Sequence, residues 1–309
     1  MFFKNVTQFR FSPQIADSLD DLESELAKHP LRACGPAELA TCGFVAPIPS
    51  NDDSENTVAF THSVNGVTLI AVGGETKLLP SSVINDELAK RIAKIRRETG
   101  RPPGGRERKR LKEEILMDLL PRAFLKRSRT FAYLDKARGR LVVNTSGRKG
   151  AEGVVTQIRE ALGSFPALPL QPEESVRVLM TDWVAKGRLP EGLQFGDECE
   201  LRDPVESGAR WRGRNTEMET DEVREHLKSG KQVYLLSLVF DERISFVLGE
   251  DLVLRKVKLL DVALDSLDEK AEDPAAALDA AFTLMSLEYE RLFAKLDEWF
   301  KIERPKDKG

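Results

Sequence analysis

An α+β fold of antiparallel hairpins and amphipathic helices is what this sequence of 309 residues predicts. Asn65-Gly66 sits between two apolar, β-branched runs in "TVAFTHSVNGVTLIAVGG", and that dipeptide supplies the positive φ angles of a tight two-residue turn. Directly afterwards, "SSVINDELAKRIAKIRRETG" changes to helical spacing. Elsewhere, strand-like runs arrive in hairpins instead of a regular βαβ alternation.

In chain order, the first strand candidate is "FFKNVTQFRF", closed by Ser12-Pro13. Leu19, Leu22 and Leu26 then recur at helical spacing, with Pro30 ending the segment. After the hairpin, Ile84, Leu88, Ile92 and Ile95 form one stripe of a helix that stops at Gly100. "RPPGG" breaks it, because proline lacks an amide hydrogen and glycine tolerates unusual angles. A second helix is expected from about Glu107 to Leu120, with Leu111, Ile115, Leu116 and Leu119 turned inward and Pro121 beyond its end. "RTFAYLDKARGRLVVNT" reads as a second hairpin around Lys136 to Gly139. "KGAEGVVTQIREALGS" is an amphipathic helix with Val154, Val155, Ile158 and Leu162 inward.

The proline-marked "FPALPLQP" is the boundary candidate in mid-chain. Beyond it come a polar stretch, "GDECELRDPVESGARWRGRN", and a short helix near Asp221 to Ser229. Strand-like runs follow in "KQVYLLSLVF", "RISFVLG" and "LVLRKVKLL". The last helix, "PAAALDAAFTLMSLEYERLFAKLDEWF", carries Phe282, Met285, Leu292, Leu296 and Trp299, apolar enough for its own core or for an interface. The expected division is 1–80 (an α+β part), 81–165 (basic helices, hairpin and helix), 166–272 (strand-rich) and 273–309 (terminal helix and tail).

A hydrophobic fraction of 41% with 32% charged residues fits a globular protein and excludes general disorder. There is no run of about eighteen apolar residues, so neither a membrane span nor a membrane partner is expected. "MFFKNVTQFRFS" lacks the layout of a signal peptide. Cys34, Cys42 and Cys199 make an odd count without C-x-x-C spacing, which argues against a disulfide framework or a structural zinc and for a cytoplasmic location.

Catalytic signals are thin. His29, His62 and His226 lie in unrelated contexts without H-x-x-x-H spacing, and His62 reads as a packed or hydrogen-bonded residue. Cys34 has no identifiable base nearby. "GRPPGG" lacks both the spacing and the preceding strand of a phosphate loop. Asp52-Asp53, Asp182 and Asp197 are the carboxylates that could form a metal cluster, but nothing in their spacing singles them out. The expectation is no catalytic residue, no metal and no cofactor.

Charge is the stronger signal. The net charge is −4, yet twenty Lys and Arg against six Asp and Glu lie between Lys90 and Gly150, leaving 27 basic and 45 acidic residues elsewhere. Phosphate responds to the local field within a Debye length of about 8 Å, so this segregation outweighs the total. Charge alone leaves two readings open, a polyanion surface or a well-solvated pair of helices. Cations crowded at the start of the second basic helix oppose its dipole, so local stability does not account for them. With no zinc finger, RNP signature or helix-turn-helix, such a surface would hold phosphates without reading sequence.

Several blocks carry a resemblance: "FFKNVTQFRFS", "CGF", "HSVNG", "KLLPSSVINDEL", "LLPRAF" at 119–124, "MTDWVAKG", "GLQFGDECEL" and "FDERISFVL", all in order. Over nearly the whole chain they resemble RdgC, the bacterial recombination-associated protein family. The resemblance implies a multi-lobed protomer of a homodimeric ring, closed by two two-fold contacts around a positively charged hole that admits double-stranded DNA. It further implies binding with little sequence preference, antagonism of the RecA recombinase by occupying DNA, a nucleoid-associated location and no enzymatic chemistry. Single-stranded DNA as a ligand and direct contact with RecA are left open.

Under that resemblance Lys90, Arg91, Lys94, Arg96, Arg97, Arg106, Arg108, Lys109, Arg110 and Lys112 are the leading candidates for the DNA-binding lining, and Lys126, Arg127 and Arg129 form a second group. Phe124, Trp211, Phe293 and Trp299 are the dimer-interface candidates. An aromatic beside a helix-ending proline is usually core, so Phe124 crosses between protomers only if the family's gate lies here, while Trp211, Arg212 and Arg214 in "ARWRGRN" can reach DNA or the opposite protomer. Two other functions stay in view: a nucleoid-architectural protein that bends DNA, and a metal-dependent DNA-processing enzyme.

Overall fold

Asn65 and Gly66 turn the chain with φ of 50° and 78°, joining β3 (Thr61–Val64) to β4 (Val67–Leu78) as the dipeptide predicts. The computed structural model describes residues 2–12, 15, 17–48, 58–205, 208–218, 220–265, 267 and 273–303. β4 is the spine of the first sheet, since β5 (Phe124–Asp135) pairs with it along all twelve residues. The opposite edge of β4 is shared by β3 and by β2 (Ala40–Val45). β5 turns at 136–139 into β6 (Arg140–Val143), which meets β5 along Ala132–Asp135 and takes β1 on its other edge. β1 (Thr7–Arg10) and β7 (Leu168–Pro169) complete a seven-stranded antiparallel sheet. The N-terminal strand is shorter than its composition suggests, because Val6 is held by a single bridge to Leu254. The proline-marked stretch supplies β7.

The second sheet contains β8 (Leu193–Arg202), β9 (Arg210–Arg214), β10 (Gln232–Phe240), β11 (Ile244–Gly249) and β12 (Leu254–Leu259), in the order β12-β11-β10-β8-β9. The polar stretch "GDECELRDPVESGARWRGRN", to which the sequence assigned no element, supplies most of β8 and all of β9. Cys199 and Leu201 turn to the core, while Glu198 and Glu200 stand opposite Arg214 and Arg212 across the strand pair. Opposite charges at facing positions stabilise such a ladder.

The helices are α1 (Leu22–Leu26), α2 (Ser81–Thr99), α3 (Gly105–Leu119), α4 (Arg148–Leu162), α5 (Val176–Lys186), α6 (Asp221–Lys228), α7 (Asp261–Leu264) and α8 (Pro274–Trp299). α5 was not expected from the sequence. α3 starts two residues earlier than its periodicity indicates, capped by Gly104, and passes into a 3-10 turn at Leu120–Arg122. Among the described residues no helix is long and apolar enough to cross a membrane.

The layers follow from the alternation of side chains. One face of the first sheet, with Phe9, Ile70, Leu134 and Leu141, packs on α1 and α4. The other face, with Leu69, Tyr133 and Val142, shares a core with the second sheet, α5 and α8. α8 buries Phe282, Met285, Leu292 and Leu296 in its own chain, and the Tyr289 hydroxyl donates to the Phe3 carbonyl. Burial pushes the Tyr289 phenol well above its ordinary range. Where α8 meets the first sheet, buried Arg10 and Arg140 both pair with Asp297.

Candidate nucleic-acid interface

α2 and α3 form an arm inserted between β4 and β5. The helices pack chiefly on each other, and of the predicted stripes only Ile84 and Ile115 are buried. Leu88, Ile92, Ile95, Leu111, Leu116 and Leu119 stay half-buried in the seam. Gly100, at φ 75°, ends α2 in the left-handed conformation that glycine adopts without strain. At the root of the arm the buried Lys77 ammonium donates to the Leu120 carbonyl at 2.8 Å and the Pro36 carbonyl at 3.0 Å. Sequence reading missed this lysine, because its partners are backbone groups about forty residues away in either direction.

The arm brings the basic candidates of both helices onto one projection. Arg91 is half-buried and ties α2 to α3 through Asp118 at 2.6 Å. Lys90, Lys94 and Arg110 make exposed pairs with Glu87, Glu98 and Glu114 at 3.4, 4.0 and 3.0 Å. Exposed pairs of this kind are worth about 0–1 kcal/mol, so phosphate can displace them at little cost. Arg97 donates to the Ala93 carbonyl and Arg108 to the Pro103 carbonyl, which orients both guanidiniums without neutralising them. Among the described residues Arg96, Arg106, Lys109 and Lys112 are exposed and show no ion pair.

The second group lies on the ribbon beneath the arm. Because β6 reaches only Ala132–Asp135, the first half of β5 is paired, among the described residues, with β4 alone. Lys126, Arg127 and Arg129 are exposed there. Strand alternation sends Lys126 to one face and Arg127 and Arg129 to the other. Arg127 pairs at 3.0 Å with Glu75, directly opposite in register, and Arg129 lies 5.8 Å from the Phe131 ring centroid. The Cys34 amide and then Arg127 hold the Glu75 carboxyl below its usual value.

The interface candidates divide. Phe124 is 83% exposed, so the alternative that placed it in the core is overturned. It faces Leu78 across the end of the ribbon, and Val83, Met117 and Leu125 are other large apolar side chains exposed in the arm and its root. Sequence reading missed these neighbours, since periodicity does not say which apolar stripe finds a partner. Phe293, expected on a dimer surface, is 2% exposed and packs in its own core under the Arg140 guanidinium, 4.9 Å from its centroid. Its helix is covered on that side by the first sheet, which removes it from any surface. Trp299 is half-buried against Phe240, and Trp211 lies against His226 while its indole N–H donates to Glu222 at 2.9 Å.

The remaining chemical candidates are scattered. Asp52 and Asp53 lie outside the described residues. Asp182 pairs with Lys186 on α5, whereas Asp197 lies on β8. Among the described residues no group of three or more His, Cys, Asp or Glu could hold a metal ion. His62 is bonded to Asp279 of α8 at 2.7 Å. All three cysteines are free, and burial raises the Cys199 thiol to about 12.

Known proteins of similar sequence agree with the resemblance of the motif blocks. A family model described as "Putative exonuclease, RdgC" matches residues 1–303. "Recombination-associated protein RdgC" of Xanthomonas campestris pv. campestris (strain B100) is 47% identical over 305 residues, covering 98% of this chain and 99% of that protein. The protein of the same name from Xylella fastidiosa (strain 9a5c) is 44% identical over the same length and coverage. A match that runs through both sheets, the arm and the terminal helix leaves no part of the fold outside it: the chain belongs to the RdgC family.

Proposed function

We propose that this protein binds DNA without sequence preference as a homodimeric ring that encircles the duplex and restrains RecA-dependent recombination. The observation that carries the reading is the arm, a projection that contributes little to the core, on which Arg96, Arg97, Arg106, Arg108, Lys109 and Lys112 are exposed and show no ion pair among the described residues. Cations in the first turn of α3 work against the helix dipole, so a polyanion outside the chain is what accounts for them. The exposed Phe124 at the arm root supplies the second element, an uncovered apolar group suited to a copy-to-copy contact. A two-fold contact is self-complementary, so one chain type can close a ring. The recombination-associated name of the relatives supports the same direction.

Retention on circular and linear duplexes of equal length across a salt series tests the reading. Encirclement keeps protein on circles at high salt while it slides from linear ends. Equal, steeply salt-dependent loss from both would leave surface binding alone. The family description also names an exonuclease, and magnesium-dependent shortening of the linear duplex in the same tubes would favour that second reading.

A further inference from the structure

The second sheet carries a basic surface that the charge profile of the sequence conceals. Its outward face holds an open groove of about 850 Å³, floored by Ser237 and Val239 of β10 and by Ser245 and Val247 of β11. Lys256 and Lys258 of β12 line the groove, and Arg214 lines it from β9. Beside Arg214, the rest of the β8–β9 ladder adds Arg202, Arg210 and Arg212. These six cations come from a part of the chain that is acidic in total, and only strand pairing gathers them.

Four carboxylates face the same region, and their placement is unequal. Glu198 and Glu200 are nearly completely buried beneath the cations. Glu200 meets Arg202 at 2.6 Å and Arg210 at 3.3 Å, with Arg212 at 3.8 Å. Glu198 meets Arg212 at 3.0 Å and Arg214 at 3.8 Å, and pairs closely with Lys256. Each buried carboxylate therefore serves three cations and fixes them from below, leaving Arg210, Arg214 and Lys256 mostly exposed above. Asp197 and Glu217 line the groove near the end of β9. Lys258 is exposed and shows no ion pair among the described residues.

Guanidiniums held in place by buried carboxylates are pre-organised for phosphate, with little rotamer freedom left to lose. The groove is open, and nothing encloses a small molecule on most of its surface. A long phosphodiester backbone fits that shape. A second copy fits it poorly, because a two-fold contact would set this cationic face against itself. We infer that the outward face of the second sheet is a second nucleic-acid site, separate from the arm, through which the protein holds another duplex segment. The inference rests on the arm binding a first duplex and adds a bridging activity to it.

A capture assay tests it. A biotinylated 40-base-pair duplex is immobilised, full-length protein is added, and a fluorescent duplex of unrelated sequence is offered in solution. Wild type is expected to capture the label. Arg214→Glu/Lys258→Glu should lower capture about tenfold, while its anisotropy affinity for one short duplex changes less than about threefold. The milder Arg214→Gln/Lys258→Gln pair should fall between, guarding against an effect of misfolding. Absence of capture by wild type, or undiminished capture by both sheet variants, overturns the inference, as does a sheet variant whose sedimentation shows a changed oligomer. The arm is judged separately: single-duplex affinity that survives Arg106→Glu/Lys109→Glu/Lys112→Glu counts against the proposed function, not against the sheet.

Discussion

Asp297 stands beside two buried arginines, Arg10 and Arg140, and accepts from Arg140 at 2.8 Å. Burial, partly offset by Asp297, lowers the Arg140 guanidinium to about 10, which leaves it charged at neutral pH. Asp297→Asn keeps the volume and removes the shared counter-charge, and is expected to destabilise the fold by about 3–5 kcal/mol in urea unfolding. Lys77→Met should cost less, about 1–3 kcal/mol, because it strands two carbonyl acceptors at the arm root without leaving a charge behind. Arg32, with the Gly35 amide, holds the Glu38 carboxyl at about 2. A lowered carboxylate contributes stability above its unfolded value and loses it as pH falls, so this contribution should fade from the ordinary carboxylate range down to about 2. A carbon-detected NMR titration reads the midpoint directly, and a midpoint near the ordinary value would remove the Arg32 bond from the account.

At the scale of elements, the arm makes binding and stability move in opposite directions. Arg106→Gln takes a cation out of the first turn of α3 and should stabilise that helix by about 0.3–1 kcal/mol. Combined with Lys109→Gln and Lys112→Gln, it should weaken DNA binding and reduce the slope of log affinity against log salt by about 0.9 for each phosphate no longer neutralised. Unchanged salt dependence would place these side chains away from DNA. The arm was legible because both helices keep their apolar stripe and end at glycine or proline. The β3–β4 hairpin was legible for the same kind of reason, a turn dipeptide between alternating runs. β8 and β9 were not, because their outward positions are charged and the glutamates look like solvent groups until the arginines of the neighbouring strand are placed over them. α5 escaped because "VRVLM" is β-branched enough to serve either state.

For the whole molecule, the segregation of charge along the chain announced the basic arm but hid the basic face of the second sheet, since a summed charge cannot report what folding gathers. Nor could local pattern separate Phe124, which emerges to solvent, from Phe293, which does not. If Phe124 closes one of two contacts in a ring, Phe124→Asp should leave a dimer in sedimentation and nearly normal low-salt binding, yet abolish retention on circular DNA at high salt. Retention equal to wild type would take Phe124 out of closure. The half-paired β5 has a further consequence. Among the described residues no strand pairs with the edge of its first half away from β4, which leaves amides and carbonyls open to an extended chain and to intermolecular β-sheet growth. Lys126, Arg127 and Arg129 sit along that edge, and like charges repel an identical strand approaching it. The side chains nominated to attract phosphate are therefore expected to oppose polymerisation as well, and variants neutralised there should scatter light on standing even where their fold is intact.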